Sequence, residues 1–430
     1  MTPTPDPTPL GDGSSPDEAA PFDETLLPPG LRSADLEALA EEHGTPLVVY
    51  DEDDLRRRCA RFVATFGAGR VAYAAKAFLC TAMARLVHEE GLHLDVATGG
   101  ELFVALHAGF PPDRIVMHGN NKSDLELLDA RDAGVGRIVV DAFDELDRLE
   151  LHDVRRPVLV RVTPGVQAHT HTFIETGTED SKFGFSVRAG HALAAARRVV
   201  QAGLELRGLH CHIGSQVFRL DPYRRAAEVV AALADEVEAE CGVEVAELNL
   251  GGGFGVRHLP GEPELDPAEV AAVMHAAARG RPVMVEPGRA IAAPAALTLY
   301  RVGVVKEVPG VGTFVAVDGG MSDNPRPVLY GAGYEAFLPG RRREPRPLAV
   351  RVVGKHCEQG DVLVARAHLP AGVRVGDLLA VPVTGAYTYG MASNYNKVPR
   401  PAVVFVRDGF ARLVVRRETP DDLVRLDIMG

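Results

Sequence analysis

The stretch Arg70-Val-Ala-Tyr-Ala-Ala-Lys76 is a short apolar β-type run that ends on a lysine and passes into an apolar helical stretch. It is the first beat of a rhythm. Strand-like runs recur at 93–98, 114–119, 137–141, 158–162, 206–213, 246–251 and 283–287. Helical patterns separate them, for example 123–134, 188–203, 222–241 and 267–279. Eight strand–helix units over about 220 residues predict a (β/α)8 barrel. The rival, a doubly wound open sheet, lacks its GxGxxG after the first strand.

The rhythm changes after about residue 292. Helical patterns nearly vanish, and short β segments follow at 297–308, 313–317, 347–353, 361–367, 377–383, 402–406 and 411–416. The fold expected is therefore α/β: a barrel over 51–292, then a C-terminal β-sandwich or β-barrel domain over 293–430. Residues 1–30, rich in Pro, Asp, Gly and Ser, are expected to be disordered or loosely packed.

Composition narrows the function. The 430-residue chain carries 46 Lys and Arg against 59 Asp and Glu, a net charge of −13, which argues against nucleic acid and anionic membrane as main partners. No apolar run approaches a membrane span, and the first residues lack the regions of a signal peptide. Five cysteines with no CxxC pair read as reduced thiols, so a cytoplasmic protein is expected.

In a barrel of this kind the chemistry lies where strands end. The first strand offers Lys76, whose amine, if partly desolvated, loses basicity and can form a Schiff base. The third offers His118-Gly-Asn-Asn-Lys122, and the sixth His210-Cys-His-Ile-Gly-Ser215. The seventh offers Asn249-Leu-Gly-Gly-Gly-Phe254, where backbone free of side chains can approach a phosphate. The bland reading of that triple glycine is a tight turn. The eighth offers Glu286-Pro-Gly-Arg289, whose carboxylate either pairs with Arg289 or holds a proton on a pyridine nitrogen. His210 and His212 share a strand face, but two histidines rarely make a metal site, and none is expected. An imidazole packed on a flat ligand, with Ser215 reaching a phosphate, is favoured. Together these groups specify pyridoxal 5′-phosphate; no single motif does.

The second domain adds Asp318-Gly-Gly-Met-Ser-Asp-Asn-Pro-Arg326 through Tyr330, then Lys355-His-Cys-Glu358, then Thr384-Gly-Ala-Tyr387. Cys357, in a polar loop, is a poor apolar filler.

These stretches, with Tyr73-Ala-Ala-Lys76, Asp95-Val-Ala-Thr-Gly-Gly-Glu-Leu102 and Gly354-Lys-His-Cys-Glu358, resemble bacterial diaminopimelate decarboxylase, of the alanine-racemase-like (fold type III) group of pyridoxal-phosphate enzymes. The resemblance runs from about residue 35 to the C-terminus. It implies decarboxylation of meso-2,6-diaminopimelate to L-lysine and CO2, the last step of lysine biosynthesis. It implies that Lys76 carries the cofactor, that His212 stacks on its ring and that Glu286 faces its ring nitrogen. Ser215, Gly253, Gly288 and Arg289 are implied to cradle the phosphate, with Tyr387 near the cofactor. Arg289, Arg326, Tyr330, Glu358 and Tyr387 are implied to bind substrate. Cys357 and Glu358 are implied to come from a second subunit, giving a homodimer with composite active sites. Residues 31–50, which include the strand-like run at 47–50, are implied to form an N-terminal segment that joins the C-terminal β-domain. Thr98 stands where the family has Ser.

Cys357 is the candidate donor of the proton that Cα must regain, with Lys76 the alternative. Diaminopimelate carries a distal ammonium and carboxylate, which Arg326 beside Glu358 would suit. An ornithine- or arginine-type decarboxylase is the rival within enzymes. A racemase ranks below it, since Cys357 is a poor second base. A non-catalytic pyridoxal-phosphate-binding homologue is the rival from another class.

Overall fold

The computed structural model describes residues 20–166 and 181–428. The chain forms two compact units. One takes in 56–256 and 263–291; the other takes in the chain up to Leu55, the short run Arg257–Glu262 and everything from Ala292.

The first unit is the barrel. Strands β2 (Ala72–Ala74), β3 (His93–Val96), β4 (Ile115–Met117), β5 (Arg137–Val140), β6 (Val158–Thr163), β8 (Leu206–His210), β9 (Glu247–Asn249) and β10 (Val283–Met284) pair in parallel in that order. A parallel bridge between Val71 and Val285 joins the last strand to the first, with hydrogen bonds from Ala72 N to Val285 O and from Val285 N to Arg70 O, each 2.9 Å. The short β7 (Phe185–Ser186) adds to β6. Residues of alternate orientation fill the interior: Ala72, Val116, Val139, Leu159 and Met284 form one buried cluster.

Apart from β6, which runs one residue past its apolar run, the observed strands are shorter than the apolar runs, mostly at their C-terminal ends. The run 206–213 is regular strand only to His210, and 283–287 only to Met284, with isolated backbone links beyond them at Cys211 N to Asn249 O and at the Val71–Val285 bridge. Lys76 sits on a 3-10 turn, Ala75–Ala77, after β2 rather than on the strand itself. The tails beyond the regular strands are the segments that carry the candidate site residues. The helices end as their chemistry dictates. Asp124–Ala133 starts on a capping box of Ser123 with Glu126 and stops at Gly134, whose φ is +79°.

The second unit is a mixed eight-stranded sheet. Its long β11 (Ala296–Val308) pairs with β1 (Leu47–Asp51) and β15 (Leu378–Pro382) over its first half. Over its second half it pairs with β12 (Gly312–Val317), past an irregularity between Val302 and Val304. β13 (Leu348–Val353) and β14 (Val362–Leu369) extend one side. β16 (Ala402–Arg407), parallel to β1, and β17 (Phe410–Val415) extend the other. One apolar cluster, including Tyr300, Val315, Tyr334, Val350 and Leu379, lies beneath the first side.

The leading segment, expected to be loose as far as residue 30, is packed from residue 20 onward. Phe22 stacks on Phe337 at 4.1 Å, and Leu26, Leu27 and Leu31 are buried. Four apolar side chains within ten residues outweigh the Pro-rich composition that suggested disorder. Residues 1–19 of that expectation lie outside the described residues. Among the described residues, no helix is long and apolar enough to cross a membrane.

Candidate active site

Glu286 follows β10 and is buried. Its Oε1 accepts from His118 Nε2 at 2.9 Å and from Asn249 Nδ2 at 2.6 Å. Its Oε2 accepts from His210 Nε2 at 3.1 Å. Asn249 is fixed in turn, because its Oδ1 accepts from Gly251 N at 3.0 Å. Three strand ends, β4, β8 and β9, therefore converge on one carboxylate. Among the described residues the hydrogen-bond partners of Glu286 are His118, His210 and Asn249, and not the Arg289 weighed from sequence.

Burial alone would raise the Glu286 pKa, but His118 and His210 take it well below the usual carboxylate range. Burial dominates at His210 and lowers it to about 4, so its imidazole is neutral at pH 7. At His118 burial is overcome by Asp95 and Glu286, which raise its pKa. Asp95 Oδ1 lies 3.6 Å from the same His118 Nε2, and burial pushes the Asp95 carboxyl up to about 6. The donor atoms of His118, His210 and Glu286 lie within 4.8 Å of one another, a spacing a metal ion could bridge. Their distances are those of N–H···O hydrogen bonds.

His212 lies two residues past β8. Its Nδ1 accepts from Gly252 N at 3.2 Å. Burial, then the Lys76 charge, holds its pKa well below the ordinary value, so the ring is neutral with its proton on Nε2. The triple glycine is more than a turn. A Cβ at Gly252 would stand 2.4 Å from Glu286 O, and one at Gly253 (φ +96°) 2.5 Å from Gly214 O. At Gly288 a Cβ would crowd the Cβ atoms of Ala74 and Ala77 at 3.0 Å. Among the described residues neither the Gly253 nor the Gly288 amide donates to a backbone oxygen. Beside them Arg289 donates to Ser215 Oγ through Nη2 at 2.9 Å and Nε at 3.3 Å.

Lys76 is exposed between the buried Ala75 and Ala77, so the desolvated amine expected from sequence is not found. A 3-10 turn lifts it clear of the strand. Its charge still reaches the strand ends, where it acts on His212, Asp95 and Glu101. Lys122 is the contrasting lysine. It is buried, and its Nζ donates to Gly119 O, Val139 O and Glu145 Oε1 at 2.8, 2.6 and 2.5 Å.

In the second unit, Arg326 is buried and bonds through Nη1 to His258 Nε2 at 3.0 Å and to Tyr334 Oη. Tyr330 closes the same short helix, Arg326–Tyr330. Glu358 accepts from Tyr395 Oη. Arg326 and Glu358 form no ion pair with each other among the described residues. Cys357 is exposed, its amide 3.3 Å from Asn396 Oδ1. Its neighbour His356 is buried and bonds Ser322 Oγ at 2.8 Å. Asp361 ties this loop to the Asp318–Arg326 stretch, accepting from His356 N at 2.8 Å and Met321 N at 2.7 Å. That explains two glycines: a Cβ on Gly320 or Gly354 would run into Asp361. Tyr387 is half-buried at a φ of +58°.

Sequence reasoning missed His118 and Asn249 as partners of Glu286, Asp95 behind them, and His258 and Tyr334 around Arg326. Only the positions of His118 and Asn249 at strand ends pointed toward them.

Residues 52–293 match the family model of the pyridoxal-dependent decarboxylase, pyridoxal binding domain. The chain is 52% identical over 416 residues to diaminopimelate decarboxylase of Mycobacterium tuberculosis, covering 91% of this chain and 93% of that one. It is 49% identical to that of Bacillus subtilis, with the same two coverages. The solved structure of diaminopimelate decarboxylase from Helicobacter pylori complexed with L-lysine superposes with a TM-score of 0.84 at 30% identity, over 91% of this chain and 99% of that one. A lysine/ornithine decarboxylase of Vibrio vulnificus shares the fold at 24% identity, with a TM-score of 0.76 over 87% and 98% of the two chains.

The barrel's own residues fit pyridoxal phosphate. A glycine cradle with unengaged amides suits its phosphate, an ionised buried carboxylate suits its ring nitrogen, and a lysine stands at the same strand ends. With those groups in place and half its residues identical to named relatives along nearly the whole chain, the chain belongs to the diaminopimelate decarboxylase family of pyridoxal-phosphate-dependent enzymes.

Proposed function

We propose that the chain removes CO2 from meso-2,6-diaminopimelate to give L-lysine, with pyridoxal phosphate as cofactor. The observation that carries the reading is the Glu286 carboxylate, buried, ionised and fixed by three donors at the strand ends that also present Lys76. Pyridoxal phosphate bound there supplies an electron sink for the pair left when the α-carboxylate departs.

The chain's residues divide the remaining work. Glu286 would hold a proton at the ring nitrogen, and the neutral His212 would hold the ring face. Ser215, Arg289 and the amides of Gly253 and Gly288 hold the phosphate, with Tyr387 near the cofactor. Lys76 would be the residue that holds the cofactor's aldehyde carbon, since its amine stands at the barrel's strand ends. Arg289, Arg326 and Tyr330 take substrate carboxylate, and Glu358 takes the distal ammonium. Cys357 gives Cα its proton, with Lys76 the alternative donor. Cys357 and Glu358 serve the site of a partner subunit in a homodimer. Five cysteines, none of them in a disulfide, support a reducing, cytoplasmic compartment.

The ornithine- or arginine-type reading is weaker. Such substrates have no distal carboxylate for the buried Arg326. The test is stoichiometry: carboxyl-labelled diaminopimelate should give one L-lysine per labelled CO2. Glu286→Gln should lower kcat by about a hundredfold or more while KM moves little. Release of CO2 without lysine would refute the reading.

A further inference from the structure

We infer that His118, His210 and Asn249 are positioning residues that select which oxygen of Glu286 meets the cofactor ring and keep that carboxylate ionised. The inference rests on the reading that Glu286 faces the ring nitrogen, and adds to it the residues that aim it.

A carboxylate oxygen accepts two hydrogen bonds well in its own plane. Oε1 has both: His118 Nε2 at 2.9 Å and Asn249 Nδ2 at 2.6 Å. Oε2 has one, from His210 Nε2 at 3.1 Å, among the described residues. The remaining lone pair of Oε2 is thus the acceptor left for a ring N–H. Three donors from three strand ends lock the carboxylate's rotation.

The two imidazoles differ in kind. An ionised Glu286 only accepts, so His210 must carry its proton on Nε2. Its Nδ1 is then bare, and that atom has no hydrogen-bond partner among the described residues. His210 is a neutral donor. His118 Nε2–H stands between two carboxylates, Glu286 at 2.9 Å and Asp95 at 3.6 Å, both buried. Two buried anions that close need a cation between them, and the imidazolium of His118 is that cation. Its charge-assisted bond stabilises the ionised Glu286 on which a protonated ring nitrogen depends. The bland alternative is that His118 merely braces β4 against β8 and β10.

The experiment compares two cofactors. Apoprotein of wild type, His118→Leu, His118→Gln and Glu286→Gln is titrated with pyridoxal phosphate and with its 1-deaza analogue, in which the ring nitrogen is a carbon. Binding is read by absorbance, and the protonation of the ring nitrogen by the ¹⁵N shift of labelled cofactor. His118→Leu should lower the preference for pyridoxal phosphate over the analogue by about ten- to a hundredfold. Affinity for the analogue should hold within about twofold, and the ¹⁵N signal should move toward the unprotonated value. His118→Gln, which keeps a donor without the charge and guards against misfolding of the leucine variant, should recover part of the preference. Equal weakening toward both cofactors, or an unmoved ¹⁵N signal, would overturn the inference and leave His118 a brace. Glu286→Gln separates the two levels. If it removes the preference while both His118 variants keep it, only the inference falls. If Glu286→Gln itself keeps the preference, the reading of Glu286 falls first.

Discussion

Arg289 donates to the Ser215 hydroxyl from both Nη2 and Nε, at 2.9 and 3.3 Å, across 74 residues of chain. Arg289 follows Gly288 in sequence, and the pair is the corner proposed above to take the cofactor's phosphate. Arg289→Lys keeps the charge but loses the two-point contact, so apoprotein should bind pyridoxal phosphate about tenfold more weakly. Ser215→Ala should cost less. Fluorescence titration of apoprotein checks this, and unchanged retention in Arg289→Lys would contradict it.

Lys76 and Lys122 should behave oppositely toward borohydride. Reduction of the holoenzyme should fix the cofactor on Lys76 and leave Lys122 unlabelled, as peptide mass mapping would show. Lys122 is held by three acceptors inside the barrel and has no freedom to serve. Removing it should instead destabilise the fold by roughly 3–5 kcal/mol, because Glu145 is left as a buried unpaired charge. A label on Lys122, or a Lys122→Ala variant of wild-type stability, would refute this division.

Asp323 predicts a pH dependence of stability. Its carboxyl is buried and accepts from Gly320 N at 2.7 Å, and burial pushes its pKa up to about 7. The folded state therefore holds a proton that the unfolded chain has released. The stabilisation is full below about pH 4, the unfolded value, and is lost as pH rises through 7. Asp95, raised to about 6, adds in the same sense. Denaturant midpoints at pH 5 and pH 8 should differ less in Asp323→Asn than in wild type. An equal difference would show that Asp323 does not titrate in this window.

Subunit exchange tests the shared site. Lys76→Ala and Cys357→Ala, each nearly inactive alone, are mixed in equal amounts. Half the dimers become mixed, and each mixed dimer owns one intact site if Cys357 serves a partner's Lys76. Activity should return to roughly a quarter of wild type. No recovery, while a tagged wild-type control exchanges, would place Cys357 with the Lys76 of its own chain.

Much of this architecture is legible in the sequence. The apolar run that ends at Lys76 and its seven successors mark the barrel because parallel strands are buried on both faces. The β segments from residue 297 onward mark the second unit by the same token of strand length and turn residues. What the runs do not reveal is where pairing stops. Hydrophobicity continues into the loops at 211–213 and 285–287, since loop residues at a barrel mouth are also buried. The candidate site is legible as residue types at strand ends but not as partnerships. His118 reaches Glu286 across 168 residues and His210 across 76, contacts that only barrel closure creates. Arg326 likewise finds His258, 68 residues away in the chain.

The most direct test of the account is a side-by-side measurement of kcat/KM for meso-diaminopimelate, L-ornithine and L-arginine on the purified holoenzyme, read as CO2 release. The account predicts diaminopimelate ahead by at least about a thousandfold, because ornithine and arginine leave the buried Arg326 without a carboxylate. The preference should collapse in Arg326→Leu while the cofactor's spectrum stays unchanged. Ornithine or arginine turning over as well as diaminopimelate would contradict it.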